Sequence, residues 1–133
     1  MIDYKELVQK AIEAKSKAIP TYSHFHVGAA LLTEDDKIIQ GANIENASYG
    51  LTICAERTAV FTAIINGERK FKAIAIAGDS DDYLPPCGAC RQILFEFCGK
   101  ELDVIMVNKN GGTKIMKMNE LLPFSFGEDF LKS

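Results

Sequence analysis

The stretch Pro85-Pro86-Cys87-Gly88-Ala89-Cys90-Arg91-Gln92 decides how this chain of 133 residues is interpreted. Cys87 and Cys90 lie three residues apart, and at the start of a helix this spacing brings both sulfur atoms to one side. A second block, Cys54-Ala55-Glu56-Arg57, lies about thirty residues earlier in the chain. The two blocks together hold three of the four cysteines. The sequence therefore predicts that Cys54, Cys87 and Cys90 bind one metal ion.

The residue types in these two blocks favour catalytic zinc. Three protein ligands and one open position are typical of a catalytic zinc site, whereas a structural site is usually closed by four ligands. Zinc with an open position activates a water molecule as a nucleophile near neutral pH. Glu56 is a carboxylate beside Cys54 that can transfer the proton of that water. The pattern ligand-x-Glu followed by Pro-Cys-x-x-Cys is the signature of zinc-dependent nucleobase deaminases.

The sequence resembles the small, all-cysteine cytidine deaminases that act on free nucleosides. The resemblance covers nearly the whole chain, from about Tyr22 to Phe126. Five ordered blocks carry it: Phe25-His26-Val27-Gly28-Ala29-Ala30, Asn43-Ile44-Glu45-Asn46-Ala47-Ser48-Tyr49, Cys54-Ala55-Glu56-Arg57, Pro86-Cys87-Gly88-Ala89-Cys90-Arg91-Gln92 and Leu121-Leu122-Pro123-Phe124-Ser125-Phe126.

The resemblance implies a set of substrate contacts. Phe25 is expected to border the pyrimidine, and Asn43 and Glu45 to hold the ribose 3′-hydroxyl. Ala55 is expected to bind the base through its backbone. The residues alone leave other interpretations open, because Phe25 is by base rate a core residue. Without the resemblance, hydrogen bonding within the loop is the favoured role of Asn43 and Glu45.

The resemblance also implies supporting residues and an assembly. Arg57 is expected to donate hydrogen bonds to cysteine sulfur and so offset the charge of three thiolates on one Zn²⁺ ion. Gln92 is expected close to the zinc-bound cysteines. Tyr49 and Phe126 match positions that a neighbouring subunit contributes to the pocket, which implies a homotetramer.

Two other uses of the cysteines are weighed against zinc catalysis. A Cys-x-x-Cys pair after a strand and a loop is also compatible with a redox pair, but Cys54 and Glu56 favour the metal site. A closed site with Cys98 as a fourth ligand is excluded if Cys87–Cys98 is a continuous helix. Eight residues of helix separate Cys98 from Cys90 by about 12 Å, so Cys98 is predicted to be a packed core thiol.

Composition limits the class of protein. The length fits a single domain over residues 1–133, and 47% hydrophobic against 25% charged residues is an ordinary globular balance. The net charge of −3 argues against a nucleic-acid partner, which usually meets a basic face. No apolar run has the length of a membrane span and no secretory signal is recognised. A cytoplasmic location without a membrane or nucleic-acid partner is therefore expected.

Hydrophobic periodicity and turn residues predict an α/β fold. The order is α-ββ-α-β-α-ββ, for which the layered solution is a three-layer α/β/α sandwich around a five-stranded mixed sheet. Because only about five residues link the last two strands, the last strand is predicted to be antiparallel to its neighbour. The predicted segments are helices at 4–18, 55–66 and 87–98, a short helical turn at 119–122, and strands at 27–33, 37–42, 72–78, 102–107 and 113–118.

The predicted activity is zinc-dependent hydrolysis of cytidine and 2′-deoxycytidine to uridine and deoxyuridine in pyrimidine salvage, with one Zn²⁺ per chain and Glu56 as proton shuttle. Two alternatives remain at this stage. One is a deaminase of another cytosine nucleoside such as blasticidin S. The other is a zinc-stabilised protein without turnover, which the presence of Glu56 argues against.

Overall fold

The fold, in a computed structural model that describes residues 3–128 and Leu131, is built on five strands and four helices. The helices are α1 (Tyr4–Ala14), α2 (Ala55–Ile65), α3 (Gly88–Cys98) and the short α4 (Met118–Leu121). The strands are β1 (Val27–Thr33), β2 (Ile38–Ala42), β3 (Phe71–Gly78), β4 (Asp103–Val107) and β5 (Thr113–Lys117). Single 3₁₀ turns cover Lys15–Lys17 and Tyr49–Leu51.

The strands form one mixed sheet in the order β2-β1-β3-β4-β5. Only β3 and β4 are parallel, with Ala75 opposite Ile105. They are joined through α3, as a parallel pair requires. The remaining pairs are antiparallel, and β5 runs antiparallel to β4. The prediction of a five-stranded mixed sheet with an antiparallel last strand is confirmed.

Alternation along the strands divides the core between the two faces of the sheet. On one face, Leu7 and Ala11 of α1 pack against Leu32, Ala75 and other strand residues. On the opposite face, residues of α2, α3 and α4 pack against the side chains that alternate with these. The helices thus form two layers around the sheet, and the predicted α/β/α sandwich is confirmed.

Close contact between α1 and β1 depends on a glycine. A Cβ atom on Gly28 would lie 2.1 Å from the carbonyl oxygen of Ala11 and 2.6 Å from the nitrogen of Lys15, closer than real Cβ atoms approach backbone. Gly28 and the two alanines that follow it in the sequence suggest close approach by something bulky such as a helix, and this expectation is confirmed.

Two sequence predictions about the helices are wrong. The α-helix α1 ends at Ala14 rather than at residue 18. The chain must become extended by Ile19, because the Ile19 N–H donates to Asn43 O at 2.9 Å and Ile19 forms a bridge with Ile44. The second error concerns α2, because apolar residues wrap most of its circumference and this pattern predicts a buried, central helix. Its outer face is exposed in the single chain, with Phe61 at 37% and Ile65 at 84% relative exposure.

Other helix and strand ends differ from the predicted ends by about one residue, and each predicted element is present. Among the described residues, no helix combines the length and the apolar character needed to span a membrane.

Candidate active site

Two helix N-termini meet at the predicted metal site. Cys54 is the N-cap residue of α2 and Cys87 is the N-cap residue of α3, and their Sγ atoms lie 3.7 Å apart. Cys90 lies in the first turn of α3, and its N–H contacts Cys87 Sγ at 3.5 Å. The three Sγ atoms lie within 4.8 Å of one another. The partial positive charge at both helix ends stabilises thiolates here.

The cysteine cluster fits a zinc ion. Two sulfur atoms bound to tetrahedral zinc at about 2.3 Å lie about 3.8 Å apart, and the Cys54–Cys87 separation of 3.7 Å matches this. Cys90 is fully buried beneath the pair, whereas Cys87 is exposed. Cys98 lies at the last residue of α3, outside the cluster, and packs against the core. Burial raises the pKa of its thiol to about 12.

A positive charge accompanies the thiols. Arg57 Nη2 donates to Cys54 Sγ at 3.5 Å, and Arg57 Nε is buried without an acceptor among the described residues. A hydrogen bond with Cys90, and the guanidinium of Arg57, lower the pKa of Cys54 to about 5. The same hydrogen bond and burial raise the pKa of Cys90 far above its usual range.

Glu56 lies directly beside this cluster, in the first turn of α2. Its side chain is buried, with 4% of the residue exposed. Burial raises the pKa of Glu56 to about 7, close to the value that suits a group that accepts and donates protons near neutral pH. A buried carboxylate with a perturbed pKa, in contact with a cleft, is a strong indication of a catalytic site.

The cleft is a cavity of about 300 Å³, within the range for small-molecule sites. It brings together most of the predicted residues: Phe25, Asn43, Glu45, Tyr49, Cys54, Ala55, Glu56 and Cys87 line it. Leu84, Pro85, Phe25 and Val27 supply apolar surface to the cavity. Phe25, which by base rate could have been a core residue, is only half-buried and faces this cavity.

Asn43 and Glu45 hold the chain on either side of Phe25. Asn43 Oδ1 accepts from the Val27 N–H at 2.9 Å, and Asn43 Nδ2 donates to Phe25 O at 2.9 Å. Glu45 Oε1 accepts from the N–H groups of Tyr22 and Ser23, each at 2.9 Å. Both side chains therefore form the loop hydrogen bonds that the residues alone favoured. Both also line the cavity.

The carboxylate of Asp79 binds the chain at His26, directly after Phe25. Asp79 follows β3 and accepts from the His26 N–H at 2.8 Å and from Lys15 Nζ at 2.8 Å. The glycine before it, Gly78, leaves room for the Leu84 side chain, because a Cβ there would lie 2.5 Å from Leu84 Cδ2. The end of β3 thus joins the C-terminal end of the first helical region, the Phe25 segment and the loop that leads to Cys87.

Four predicted residues do not line the cavity, and one of them is the buried thiol Cys90 described above. Arg57 contacts the thiols from the side, as described above. Gln92 is on α3, where its Nε2 donates to Phe126 O at 2.8 Å. It therefore ties the C-terminal segment to the helix that carries Cys87 and Cys90. Phe126 itself is 56% exposed and does not line the cavity of its own chain.

Sequence reasoning missed Ser23, Leu84 and Pro85 as cavity residues. Leu84 and Pro85 come directly before the Pro-Cys-x-x-Cys motif, and a residue just before a metal-binding helix N-terminus is placed near the ligands by connectivity alone. Ser23 carried a weaker signal, namely its position two residues before Phe25. A hydroxyl at that spacing is able to bond to the backbone locally.

The fold and the three-thiol site define the class of protein. A family model described as the cytidine and deoxycytidylate deaminase zinc-binding region matches residues 1–106. The chain belongs to this zinc-binding deaminase family.

Within the family, similarity to particular proteins is high. The chain is 49% identical to a cytidine deaminase of Halalkalibacterium halodurans over 94% of this chain and 95% of the relative. A crystal structure of cytidine deaminase from Burkholderia pseudomallei superposes with a TM-score of 0.92 at 44% identity, covering 94% of this chain and all of that one. A blasticidin-S deaminase of Bacillus cereus is more distant, with 30% identity over 91% of this chain and 90% of the relative.

Proposed function

We propose that this chain is a zinc-dependent cytidine deaminase that hydrolyses cytidine and 2′-deoxycytidine to uridine and 2′-deoxyuridine with release of ammonia. The observation that carries the proposal is the buried Glu56 next to three clustered thiols at the end of a nucleoside-sized cavity. The relatives named cytidine deaminase support the same reaction.

The proposed ligands are Cys54, Cys87 and Cys90, which hold one zinc ion per chain. When bound, zinc supplies Lewis-acid activation of the attacking water. Glu56 accepts a proton from that water and delivers it to N3 of the cytosine ring. It then carries the second proton of the water to the 4-amino group, so that ammonia leaves and the 4-keto group of uridine forms. The pKa of about 7 allows Glu56 to act in both directions.

The cavity lining favours a nucleoside over a nucleotide. Among the described residues that line it, Glu45 and Glu56 are carboxylates and none is lysine or arginine. A phosphate group would find no cation there to offset its charge. Phe25 and Leu84 offer apolar surface to the base, while Asn43 and Glu45 are proposed to receive the sugar hydroxyls. The backbone of Ala55 is proposed to hydrogen-bond the base.

The test is ammonia release from cytidine by purified protein of known zinc content, with Glu56→Gln as the matched variant. Wild type is expected to release ammonia. The variant is expected to bind zinc normally and to lose about 10²- to 10⁴-fold in kcat. Full activity of Glu56→Gln with zinc bound would refute the mechanism. Tightly held zinc without turnover in the wild type would instead support a structural metal site.

A second candidate substrate is blasticidin S, because one relative at 30% identity carries that name. Cytidine is favoured, since the relatives of higher identity are cytidine deaminases. A panel of cytidine, 2′-deoxycytidine and blasticidin S at equal concentration separates the two: the ratio of kcat/KM for cytidine to that for blasticidin S should exceed one.

We further propose a homotetramer in which the exposed Phe126 and Tyr49 of one chain complete the site of another, although Tyr49 also lines the cavity of its own chain. The exposed outer face of α2 and the exposed Leu51 are apolar surface that a second copy can cover. Light scattering after size-exclusion chromatography should give four times the chain mass. If sites are shared, co-assembly of inactive Glu56→Gln chains with Phe126→Ala chains should restore part of the activity. Failure of both measurements would leave a monomer with a site of its own.

In line with the charge balance of −3, the enzyme is proposed to work in the cytoplasm as a single domain without a nucleic-acid partner.

A further inference from the structure

The segment 22–26, which carries Phe25 and leads into β1, lies outside regular secondary structure, yet each of its backbone N–H groups has an acceptor. Side chains provide most of the acceptors, which is unusual for a loop because backbone–backbone bonds are the commoner kind. Glu45 accepts from residues 22 and 23, Pro20 O from residue 24, Ser23 Oγ from residue 25, Asp79 from residue 26 and Asn43 from residue 27.

Ser23 has a special position in this arrangement. Its hydroxyl donates to Glu45 Oε2, and its Oγ accepts from the Phe25 N–H at 3.1 Å. Ser23 also lines the cavity together with both partners. One hydroxyl thus connects the two side chains to which sugar binding and base binding are assigned.

We propose that Ser23 is a positioning residue for substrate: its hydroxyl, anchored on the Phe25 N–H, holds the carboxylate of Glu45 ready to accept a hydroxyl group of the ligand's sugar. This inference rests on the proposed function, because Glu45 has a sugar to bind only if the substrate is a nucleoside.

The hydrogen-bond inventory of Glu45 explains why a donor on the ligand is required. An ionised carboxylate accepts only, and has about four acceptor positions. Two on Oε1 are occupied by backbone N–H groups and one on Oε2 by Ser23. The hydrogen bond from Ser23 also lowers the pKa of Glu45, so the group is ionised at neutral pH. The position left on Oε2 therefore suits an O–H donor and repels an anion.

Ser23 itself is exposed, so removing its hydroxyl takes away little buried surface. The Ser23→Ala variant loses the donor that fixes Oε2, while the two backbone bonds to Oε1 remain. The Glu45 carboxylate then rotates more freely. A bound ligand must fix its orientation, and the loss of side-chain entropy lowers the affinity. The cost should fall on binding of the sugar hydroxyl, and leave recognition of the base intact.

The experiment compares competitive inhibition of zinc-loaded protein by the product uridine and by its analogue 3′-deoxyuridine, with cytidine as the reporter substrate. Ser23→Ala should weaken inhibition by uridine about tenfold, the range for one charge-assisted hydrogen bond. Inhibition by 3′-deoxyuridine should change less than about twofold, because it lacks the hydroxyl concerned. Ser23→Thr keeps the hydroxyl and should restore inhibition by uridine to near the wild-type value.

A double-mutant cycle gives the decisive comparison. In a Glu45→Gln background, Ser23→Ala should add less than about a twofold effect on uridine, since its partner carboxylate is gone. Equal losses for uridine and 3′-deoxyuridine, or equal losses in both backgrounds, would overturn the inference and leave Ser23 a merely structural residue. The melting temperature and zinc content of each variant exclude a loss of fold.

Failure of this inference is separable from failure of the proposed function. Wild-type protein that releases no ammonia from cytidine refutes the function, and the role of Ser23 with it. Active wild type with an unchanged Ser23→Ala variant refutes only the role of Ser23.

Discussion

Gly41 of β2 allows the first turn of α2 to contact the sheet, and replacing it with alanine should damage the site from below. A Cβ on Gly41 would lie 2.4 Å from the carbonyl oxygen of Ala55, 2.5 Å from the nitrogen of Ala59 and 2.9 Å from Ala59 Cβ. Ordinary contact begins near 3.4 Å. The nearest atoms belong to backbone, so β2 and α2 must separate by about 1 Å.

The magnitude follows from this overlap. Overpacking typically lowers the free energy of unfolding by about 1–3 kcal/mol. A clash with backbone, which no flexible side chain can relieve, falls at the upper end, about 3 kcal/mol. For a chain of this length that lowers the melting temperature by about 10 °C. The displaced turn carries Cys54 and Glu56, whereas Cys87 and Cys90 remain on α3. A misplacement of about 1 Å can cost about 10²-fold in rate, so kcat should fall by this order.

Gly88 offers a matched control on the other side of the same site. It is adjacent to Cys87, and a Cβ there meets no atom within 4 Å. Because Gly88 is the first residue of α3, Gly88→Ala should be neutral or stabilising by up to about 1 kcal/mol. Thermal unfolding at fixed protein and zinc concentration, with kcat for cytidine, measures both variants. If Gly41→Ala has the same melting temperature and kcat as Gly88→Ala, the close contact between Gly41 and α2 does not limit stability or rate, and the reasoning is refuted.

Three further predictions concern other parts of the molecule. Although burial raises the pKa of Asp103, hydrogen bonds from Lys117 and Tyr4 outweigh it and hold that pKa below its usual range. A depressed carboxyl pKa stabilises the fold above pH about 4, and this contribution is lost as the pH falls through the folded-state pKa. Asp103→Asn should therefore destabilise by about 1–2 kcal/mol at pH 7, with a smaller difference near pH 2.5 in urea unfolding; a difference independent of pH would contradict this. His24 has φ +59°, so His24→Gly should be close to neutral and His24→Val should destabilise by about 1–2 kcal/mol, and equal melting temperatures would argue against strain at this position. Arg57→Met removes the donor to Cys54 Sγ and should weaken zinc retention about 10-fold in competition with a chelator, whereas unchanged retention would show that the guanidinium does not stabilise the thiolates.

The sequence predicted those parts of the fold that depend on local pattern. Branched and small residues in 27–33 and 71–78 form the two central strands. The short Asn/Gly-rich link after Val107 determined the antiparallel last strand. The α-helix α1 was predicted too long, because the pairing of Ile19 with Ile44 is a contact between distant segments that helical periodicity does not register.

Most of the metal cluster was also predictable from a local pattern. Cys87 and Cys90 are neighbours on one helix, and only Cys54 required the fold to bring it near. The tertiary arrangement around Phe25 was not predictable, because Glu45, Asp79 and Ser23 act on it through side-chain hydrogen bonds that leave no periodic pattern in the sequence. The exposed face of α2 was also missed: an apolar pattern says that a surface avoids water, but not whether the same chain covers it.

The position of the thiols on two separate helix N-termini has a consequence for the order of folding. Because β3 lies between Cys54 and Cys87 in the chain, their contact depends on the place of β3 in the sheet. The two apolar clusters that hold the sheet and helices together do not depend on the metal. We therefore expect zinc to bind after the chain has assembled. In this respect the protein is opposite to a zinc finger, which is unfolded without metal, and a metal-free preparation should refold first and be loaded afterwards.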